Sequence, residues 1–485
     1  MKAGVTFVFV LSMTLSAAGA ILGADEEKIP ITTASEQAKK EFLLGQDLSD
    51  NLQATKSLEH FDKAIALDPS FASAYLNRAN NSFTTKEFLE NLRGAMIHMD
   101  KVSEGERLLV LAADAGANGN LQKQKEYLEK AVALYPNDER AHFTLGAYFF
   151  GQQEYSEAIH EYEISIHLSD RFAPAYNILG YAYRQTEDYQ KAEQTFKKYT
   201  ELIPNDANPY DSYAELLLKI GRFDESIANY RKALAIDRSF GSSLIGVAMN
   251  YTYQGKADKA SEVVTHLYDI ARNAGEQRQA LFTKAVVDVD AGNLVLGLQD
   301  LDKEYAVGKS INDVGGMSGD LAAEGNILLE MGKYNEALKA FHASAEVVSK
   351  SDFSFELKNN TLLFTHYNAA RVAIASGDLG KAKAETEEFR RGAEENKNPN
   401  QIRFAHELKG MVALAEKNAG EAVSELLQAN QLDPYNLYRI SLAYEAQGDK
   451  AHAKEFCKKT AEFYSLPVLN YAFIRNKAAK MTSAL

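Results

Sequence analysis

Residues 176–204 read YNILGYAYRQTEDYQKAEQTFKKYTELIP. Leu179, Gly180 and Tyr183 fall on one face of a first helix, because side chains three and four apart are neighbours there. Ala192 and Phe196 do the same on a second helix. Gly180 and Ala192 are small enough to let the two helices approach, while Tyr183 and Phe196 fill the space beside them. Pro204 cannot continue a helix, so it closes the unit. One helix pair leaves an apolar face bare, so copies of it must stack.

The copies are visible on both sides. Unit ends fall at Pro136, Asp170, Pro204 and Arg238, each 34 residues after the last. The unit before carries Leu145, Gly146, Phe149, Ala158 and Tyr162 in the same phase; the unit after carries Tyr213, Ala214, Gly221, Ser226 and Tyr230. Upstream, Phe61, Ala64 and Pro69 repeat the second half of the pattern. Beyond Asp269 the phase loosens. Turn residues Gly255, Gly292, Gly332, Gly377, Lys417 and Gly448 are 37, 40, 45, 40 and 31 apart. The extra residues, chiefly at 307–319 and 391–401, are expected to lengthen helices or to form loops.

The order Tyr176-x-x-Leu179-Gly180-x-x-Tyr183, Ala192-x-x-x-Phe196, Pro204 resembles the tetratricopeptide repeat, with Tyr176 where that pattern has Trp. The resemblance implies an all-α fold: a right-handed α-solenoid (superhelix) of stacked antiparallel helix pairs. It implies a regular array over 38–272 with about seven units, and a divergent one over 273–465 with about five. A soft boundary is expected near Asn273-Ala274-Gly275, and 466–485 should be a capping helix and tail that covers the end of the solenoid. No alternating apolar–polar stretch is left over for a sheet domain.

Composition agrees with an ordered chain: 46% hydrophobic and 25% charged, with Tyr 25 and Phe 24 supplying bulk in the absence of Trp. A formal net charge of −14 argues against nucleic acid or an anionic membrane as the partner. The N-terminus reads as an export signal, 1–24: Lys2, an apolar run from Val5 to Leu15, then small residues ending in Ala18-x-Ala20. Cleavage after Ala20 or after Ala24 both fit, as does retention as an uncleaved anchor; 25–37 is a polar lead-in. No Cys lies in this segment, so a lipoprotein anchor is excluded. The expectation is a periplasmic or secreted bacterial protein without an integral membrane span after cleavage. The one cysteine, Cys457, reads as a small core residue.

A search for chemistry finds little. Gly315-Gly316-x-x-Gly319 and Gly116-x-x-Gly119 lack the strand–glycine–helix context of a phosphate loop and read as loop glycines. His160, Glu163 and His167 share a helix face, but that face points away from the partner helix and reads as solvated surface. Nucleophile elbows and paired cysteine ligands are missing. The expectation is a protein that is not an enzyme and has neither cofactor nor metal.

What the resemblance offers is binding. In tetratricopeptide arrays the first helix of each unit lines a concave groove. Carried over by position, the candidate partner-binding residues are Phe143, Phe150, Asn177, Tyr181, Arg184, Asp211 and Tyr253. The family's Lys/Asn carboxylate clamp is not reproduced, since Phe143 and Ala147, or Asp211 and Glu215, stand at those positions. The leading expectation is a scaffold that binds a peptide or a partner protein in this groove. An envelope-assembly factor working through its ends and faces is the alternative, and an enzymatic site hidden in 274–465 is the remote one.

Overall fold

The computed structural model describes residues 28–51 and 53–485; the expected signal segment lies outside the described residues. Among the described residues the regular structure is helical, with 25 α-helices, one short 3₁₀ turn at Met99–Lys101 and no strand. Seven helix pairs come first. They are α1 (Glu36–Asp50) with α2 (Ala54–Leu67), α3 (Ala72–Asn80) with α4 (Thr85–His98), and α5 (Glu104–Ala117) with α6 (Leu121–Leu134). Then follow α7 (Glu139–Gly151) with α8 (Tyr155–Leu168), and α9 (Ala173–Gln185) with α10 (Tyr189–Leu202). The last two are α11 (Asn208–Lys219) with α12 (Phe223–Ile236), and α13 (Gly241–Tyr253) with α14 (Ala257–Asp269).

Five further pairs follow, the first three of them longer: α15 (Ala274–Asp290) with α16 (Leu294–Ser310), and α17 (Val314–Glu330) with α18 (Tyr334–Ser349). Next come α19 (Phe355–Ser376) with α20 (Leu379–Asn396), α21 (Pro399–Ala415) with α22 (Ala419–Leu426), and α23 (Pro434–Gln447) with α24 (Lys450–Ala461). A last helix, α25 (Leu469–Ala484), stands alone. The extra residues of this half lie mostly in helix: α15, α16 and α17 have 17 residues each and α19 has 22, against 13 in α9.

The opening stretch shows why the sequence folds this way. Pro174 sits in the first turn of α9, where a missing N–H costs nothing. Leu179, Gly180 and Tyr183 are buried against Ala192 and Phe196 of α10. A Cβ on Gly180 would stand 2.7 Å from the Phe196 ring, so only glycine permits this approach. Between the helices one residue turns into the left-handed region, and it recurs as Gly119, Gln153, Glu187, Gly221 and Gly255, each 34 after the last. Left-handed backbone costs a residue with a Cβ about 1–2 kcal/mol, less the entropy glycine gives up. Glu187→Gly is therefore expected to stabilise the protein by about 0.5–1 kcal/mol, read as a raised midpoint in urea unfolding.

A polar clip recurs too. His142 pairs with Glu161 at 2.6 Å, His366 with Glu385 at 2.7 Å and His406 with Glu425 at 2.6 Å, each joining the two helices of one repeat across 19 residues. Hydrogen bonding to Glu161 holds His142 above the ordinary imidazole range. The exposed face of α8 carries His160, Glu163 and His167, and Glu163 accepts a hydrogen bond from the Tyr183 hydroxyl at 2.8 Å.

First helices of successive pairs touch one another, as α7 with α9, α11 with α13 and α19 with α21, so they form the inner side of the coil. The coil closes on itself. Arg140 of α7 pairs with Asp50 of α1, Gln53 donates to Asp206, and Thr55 of α2 donates to Glu276 of α15. Arg403 of α21 donates to the Gln152 carbonyl, and Gln153 donates to Asn430. These closures overturn the reading of Gly315, Gly316 and Gly319 as loop glycines. All three lie in the first turns of α17, where a Cβ on Gly315 would meet Thr85 of α4 at 2.4 Å. Gly116 likewise lies in the last turn of α5 rather than in a loop, and Gly119 is the turn glycine after it.

The tail does more than cover an end. Helix α25 packs on α23 and α24, and Cys457 of α24 is buried, donating to the Ala478 carbonyl at 3.1 Å. It also reaches inward to α15. Leu469, Tyr471, Ala472, Phe473 and Ile474 share one apolar cluster with Leu244, Ile245 and Met249 of α13 and with Val286 and Val289 of α15.

Candidate functional site

The seven predicted residues fall into three environments. Phe143 and Phe150 are half-buried packing rings: Phe143 stands edge-on to Phe172 at 5.5 Å, and Phe150 meets Tyr155 at 5.4 Å. Tyr181, Arg184 and Asp211 gather on the inner side of α9 and α11 around Glu215. Tyr181 donates to Glu215 Oε2 at 2.8 Å, and Arg184 Nη1 pairs with Glu215 Oε1 at 2.5 Å. The guanidinium lies 4.7 Å from the Tyr181 ring centre. Asn177 is buried with its Oδ1 unpartnered, and Asp211 is buried with a 2.6 Å bond from Ser243.

Tyr253 is in the third environment, under the tail. Its hydroxyl donates to the Ser465 carbonyl at 2.7 Å, and its ring lies 5.5 Å from both Tyr464 and Tyr471. Beside it Lys219 donates to the Phe463 carbonyl at 2.7 Å and sits 4.1 Å from the Phe463 ring centre. Burial holds Lys219 down to about 8. Arg475 of α25 forms a bidentate pair with Asp290 of α15. The segment 463–475 thus occupies the inner side of α11, α13 and α15, the place where the groove argument put a ligand.

Burial pushes the Asp211 carboxyl up to about 7, with the Ser243 hydrogen bond opposing and Glu215 adding to it. A carboxyl raised in the folded state favours folding fully only below its unfolded value of 3.8, and that contribution is lost as pH climbs through about 7. Asp211→Asn is expected to remove this part of the pH dependence. The variant should gain on the parent between pH 5 and pH 8 in thermal unfolding, and a constant difference across that range would contradict the assignment.

The open part of the inner side lies in the divergent half. A cavity of about 510 Å³ is walled by α17, α18, α19, α21, α23 and the start of α25. Rings of Phe341, Phe364, Tyr367, Phe404 and Tyr435 line it, together with amides of Asn326, Asn360, Asn368 and Asn470. Two arginines face in. Arg439 is buried and pairs with Glu407 at 2.7 Å. Arg371 donates from Nη1 to Asn326 at 2.9 Å and to Asn368 at 3.3 Å. Its guanidinium lies 5.3 Å from the Tyr367 ring centre, and its Nε is buried without an acceptor.

Position-by-position transfer missed this cavity, because the loosened period after Asp269 leaves no fixed offset to count from. The signal was composition: asparagines and an arginine spaced along the first helices of the divergent units. Among the described residues no group of acidic, histidine or cysteine side chains is arranged to hold a metal ion. Also among them, no helix is long and apolar enough to cross a membrane.

Curved stacks of paired helices with a lined inner surface define a class, the helical-repeat scaffolds of protein–protein interaction. Tetratricopeptide repeat models match residues 109–163, 173–206, 207–240 and 435–462, so these stretches of the chain are tetratricopeptide repeats. The chain is 28% identical over 174 residues to the TPR repeat-containing protein YpiA of Bacillus subtilis, covering 35% of this chain and 41% of that one. It is 25% identical over 191 residues to the anaphase-promoting complex subunit cut9 of Schizosaccharomyces pombe, covering 38% and 28%. The chain therefore spans less than half the length of these two relatives. Among solved structures, the Cut9–Hcn1 complex aligns over 90% of this chain and 78% of its own at 14% identity, with a TM-score of 0.44. A tetratricopeptide repeat protein from Parabacteroides merdae aligns over 54% and 98% at 15% identity, with a TM-score of 0.37.

Proposed function

We propose that this chain is an exported, non-enzymatic scaffold that holds a segment of a partner protein on its concave side, outside the cytoplasm. The observation that carries the reading is the cavity between α17, α19, α21 and α23. It mixes aromatic and arginine side chains, the types that dominate binding energy at interfaces, with amides suited to an extended backbone. Residues Tyr181 and Arg184 belong to the same inner side, but Glu215 already neutralises Arg184 and the tail covers Tyr253. The partner's seat on this reading is the divergent half, with the first half as its frame.

Export is supported by the sequence of 1–24 alone, and mass measurement of the mature N-terminus in an envelope fraction tests it. An assembly role exercised through the chain's end draws less support, because α25 is packed inside the coil. The groove reading is tested by filling the cavity. Gly319 lies on its wall with open space at its Cβ position, so Gly319→Phe starts a ring from an unobstructed point on the cavity wall. Loss of partner recovery with unchanged helicity is the expected result. Full recovery by a folded Gly319→Phe protein would overturn the reading.

A further inference from the structure

Another cavity, of about 320 Å³, opens where the coil closes. Its wall comes from three places far apart in sequence: the α5–α6 turn at 118–122, the start of α19, and the α20–α21 turn at 396–398. With the cavity of the inner side it shares Asn360 alone.

Side-chain amides dominate this wall. The two turns are built alike: Asn118 and Asn120 flank left-handed Gly119, and Asn396 and Asn398 flank left-handed Lys397. Helix capping accounts for part of the pattern. Asn120 Oδ1 accepts from the Lys123 N–H, and Asn398 Oδ1 from the Asn400 and Gln401 N–H groups. Asn118 Nδ2 donates to the Asp114 carbonyl, and Asn396 Nδ2 donates to Gln401. Asn360 accepts from Asn396 and Gln401, and a Cβ on Gly119 would stand 2.9 Å from its Nδ2.

These bonds occupy one end of each turn amide. The Nδ2 groups of Asn120 and Asn398 and the Oδ1 atoms of Asn118 and Asn396 make no hydrogen bond among the described residues. Neither end of Asn359 or of Gln122 makes one there either. A free amide offers an acceptor and two donors and carries no charge. A sugar hydroxyl likewise donates and accepts, and pairing it with an amide spares the desolvation of an ion. The wall's two charged side chains, Glu356 and Lys397, are opposite in sign and both exposed, so the cleft favours no net charge on its ligand.

At the rim stands Phe355, 74% exposed, the most exposed of the large apolar side chains among the described residues. The negative face of its ring suits the C–H face of a pyranose, whose hydroxyls then project from the sugar's edge towards the amides. The volume sits near the lower end of ordinary small-ligand sites, about 300–1,000 Å³, enough for a short sugar chain.

We propose that this cleft binds a neutral oligosaccharide, with Phe355 stacked on one sugar ring and Asn359, Gln122 and the two asparagine-flanked turns holding its hydroxyls. A peptide strand presents its bonding groups along a line, whereas these amides converge from three segments on one cleft. The site is separate from the partner's seat in the inner cavity and does not depend on it.

Calorimetric titration of the full chain tests this with short neutral oligosaccharides of glucose, mannose, xylose and N-acetylglucosamine. Oligogalacturonate serves as the acidic control and short uncharged peptides as the polypeptide control. At least one neutral series should bind with a Kd of about 1 mM or tighter. Phe355→Ala should weaken that binding about tenfold, and Asn359→Ala about fivefold, the worth of a stacked ring and of a hydrogen bond. Both side chains are exposed, so helicity should not change. Binding by none of the neutral series, or binding that both variants leave unchanged, overturns the proposal. Equal or tighter binding of the acidic sugar or of the peptides overturns it as well.

Discussion

A chain ending at Glu462 is expected to lose amide protection in α13 and α15 and to bind an apolar dye, although its deleted residues lie more than 170 positions away in sequence from α15. The reason is the shared cluster. Leu469, Tyr471, Phe473 and Ile474 are at most 8% exposed, and each is worth about 1.5–3 kcal/mol when fully buried. Their loss removes on the order of 6 kcal/mol or more from the middle of the coil, together with the Arg475–Asp290 pair and the bonds from Lys219 and Tyr253 to the 463–465 backbone. In a repeat protein such a loss is felt locally rather than as one global transition, so hydrogen exchange by segment is the appropriate readout. Protection should fall around α13 and α15 and stay unchanged in α1 to α4. Tyr471→Ala, which leaves the chain length intact, should show the same pattern at about 3–5 kcal/mol. Unchanged exchange in α13 and α15 would mean the tail only covers the last pair.

Arg278→Ala should be the most damaging point substitution in the divergent half. Arg278 of α15 makes a bidentate pair with Asp320 of α17 at 2.7 and 2.8 Å and donates to the Glu304 carbonyl of α16 at 2.9 Å. Gly308 and Gly316 leave it room, since a Cβ on either would stand within 2.7 Å of the guanidinium. All three charged side chains are buried, and burial with the Asp320 charge pushes Glu304 up to about 9, so the neutral acid sits beside a single ion pair. Removing the cation strands Asp320 in the interior at a cost of about 3–5 kcal/mol. Replacing both partners with Arg278→Met and Asp320→Asn should cost less than the single change, because no charge is then left alone. Urea unfolding followed by exchange in α15 to α17 measures both. A single-variant loss under about 1 kcal/mol would contradict the account of this junction.

The sequence carried the architecture well for a definite physical reason. Repeats pack a first-helix glycine on a ring of their own second helix, as Gly146 with Tyr162, Gly180 with Phe196 and Gly325 with Phe341, so the fold is written locally, and from Gly119 to Gly255 it recurs every 34 residues. The inter-helix turns follow the same rule, down to the left-handed Gln153 and Glu187 that no glycine count would mark. The candidate site was less legible because it depends on how the coil closes. Whether Tyr253 faces a ligand or the Ser465 carbonyl depends on where residues more than 200 positions later return. Asp211 and Asn177 are buried within the coil, which counting along their own helices could not show. Arg371 could not be reached by counting, since helices of 17 and 22 residues break the phase before it.

The central claim is that a partner is held inside the coil, in the divergent half. A photo-crosslinking residue placed at Thr365, on the cavity wall, and another at Lys197, on the exposed side of α10, test it directly in cells. A discrete adduct is expected from position 365, absent from position 197, and lost when Gly319→Phe is added. Adducts of equal yield from both positions, or a 365 adduct indifferent to Gly319→Phe, would contradict it.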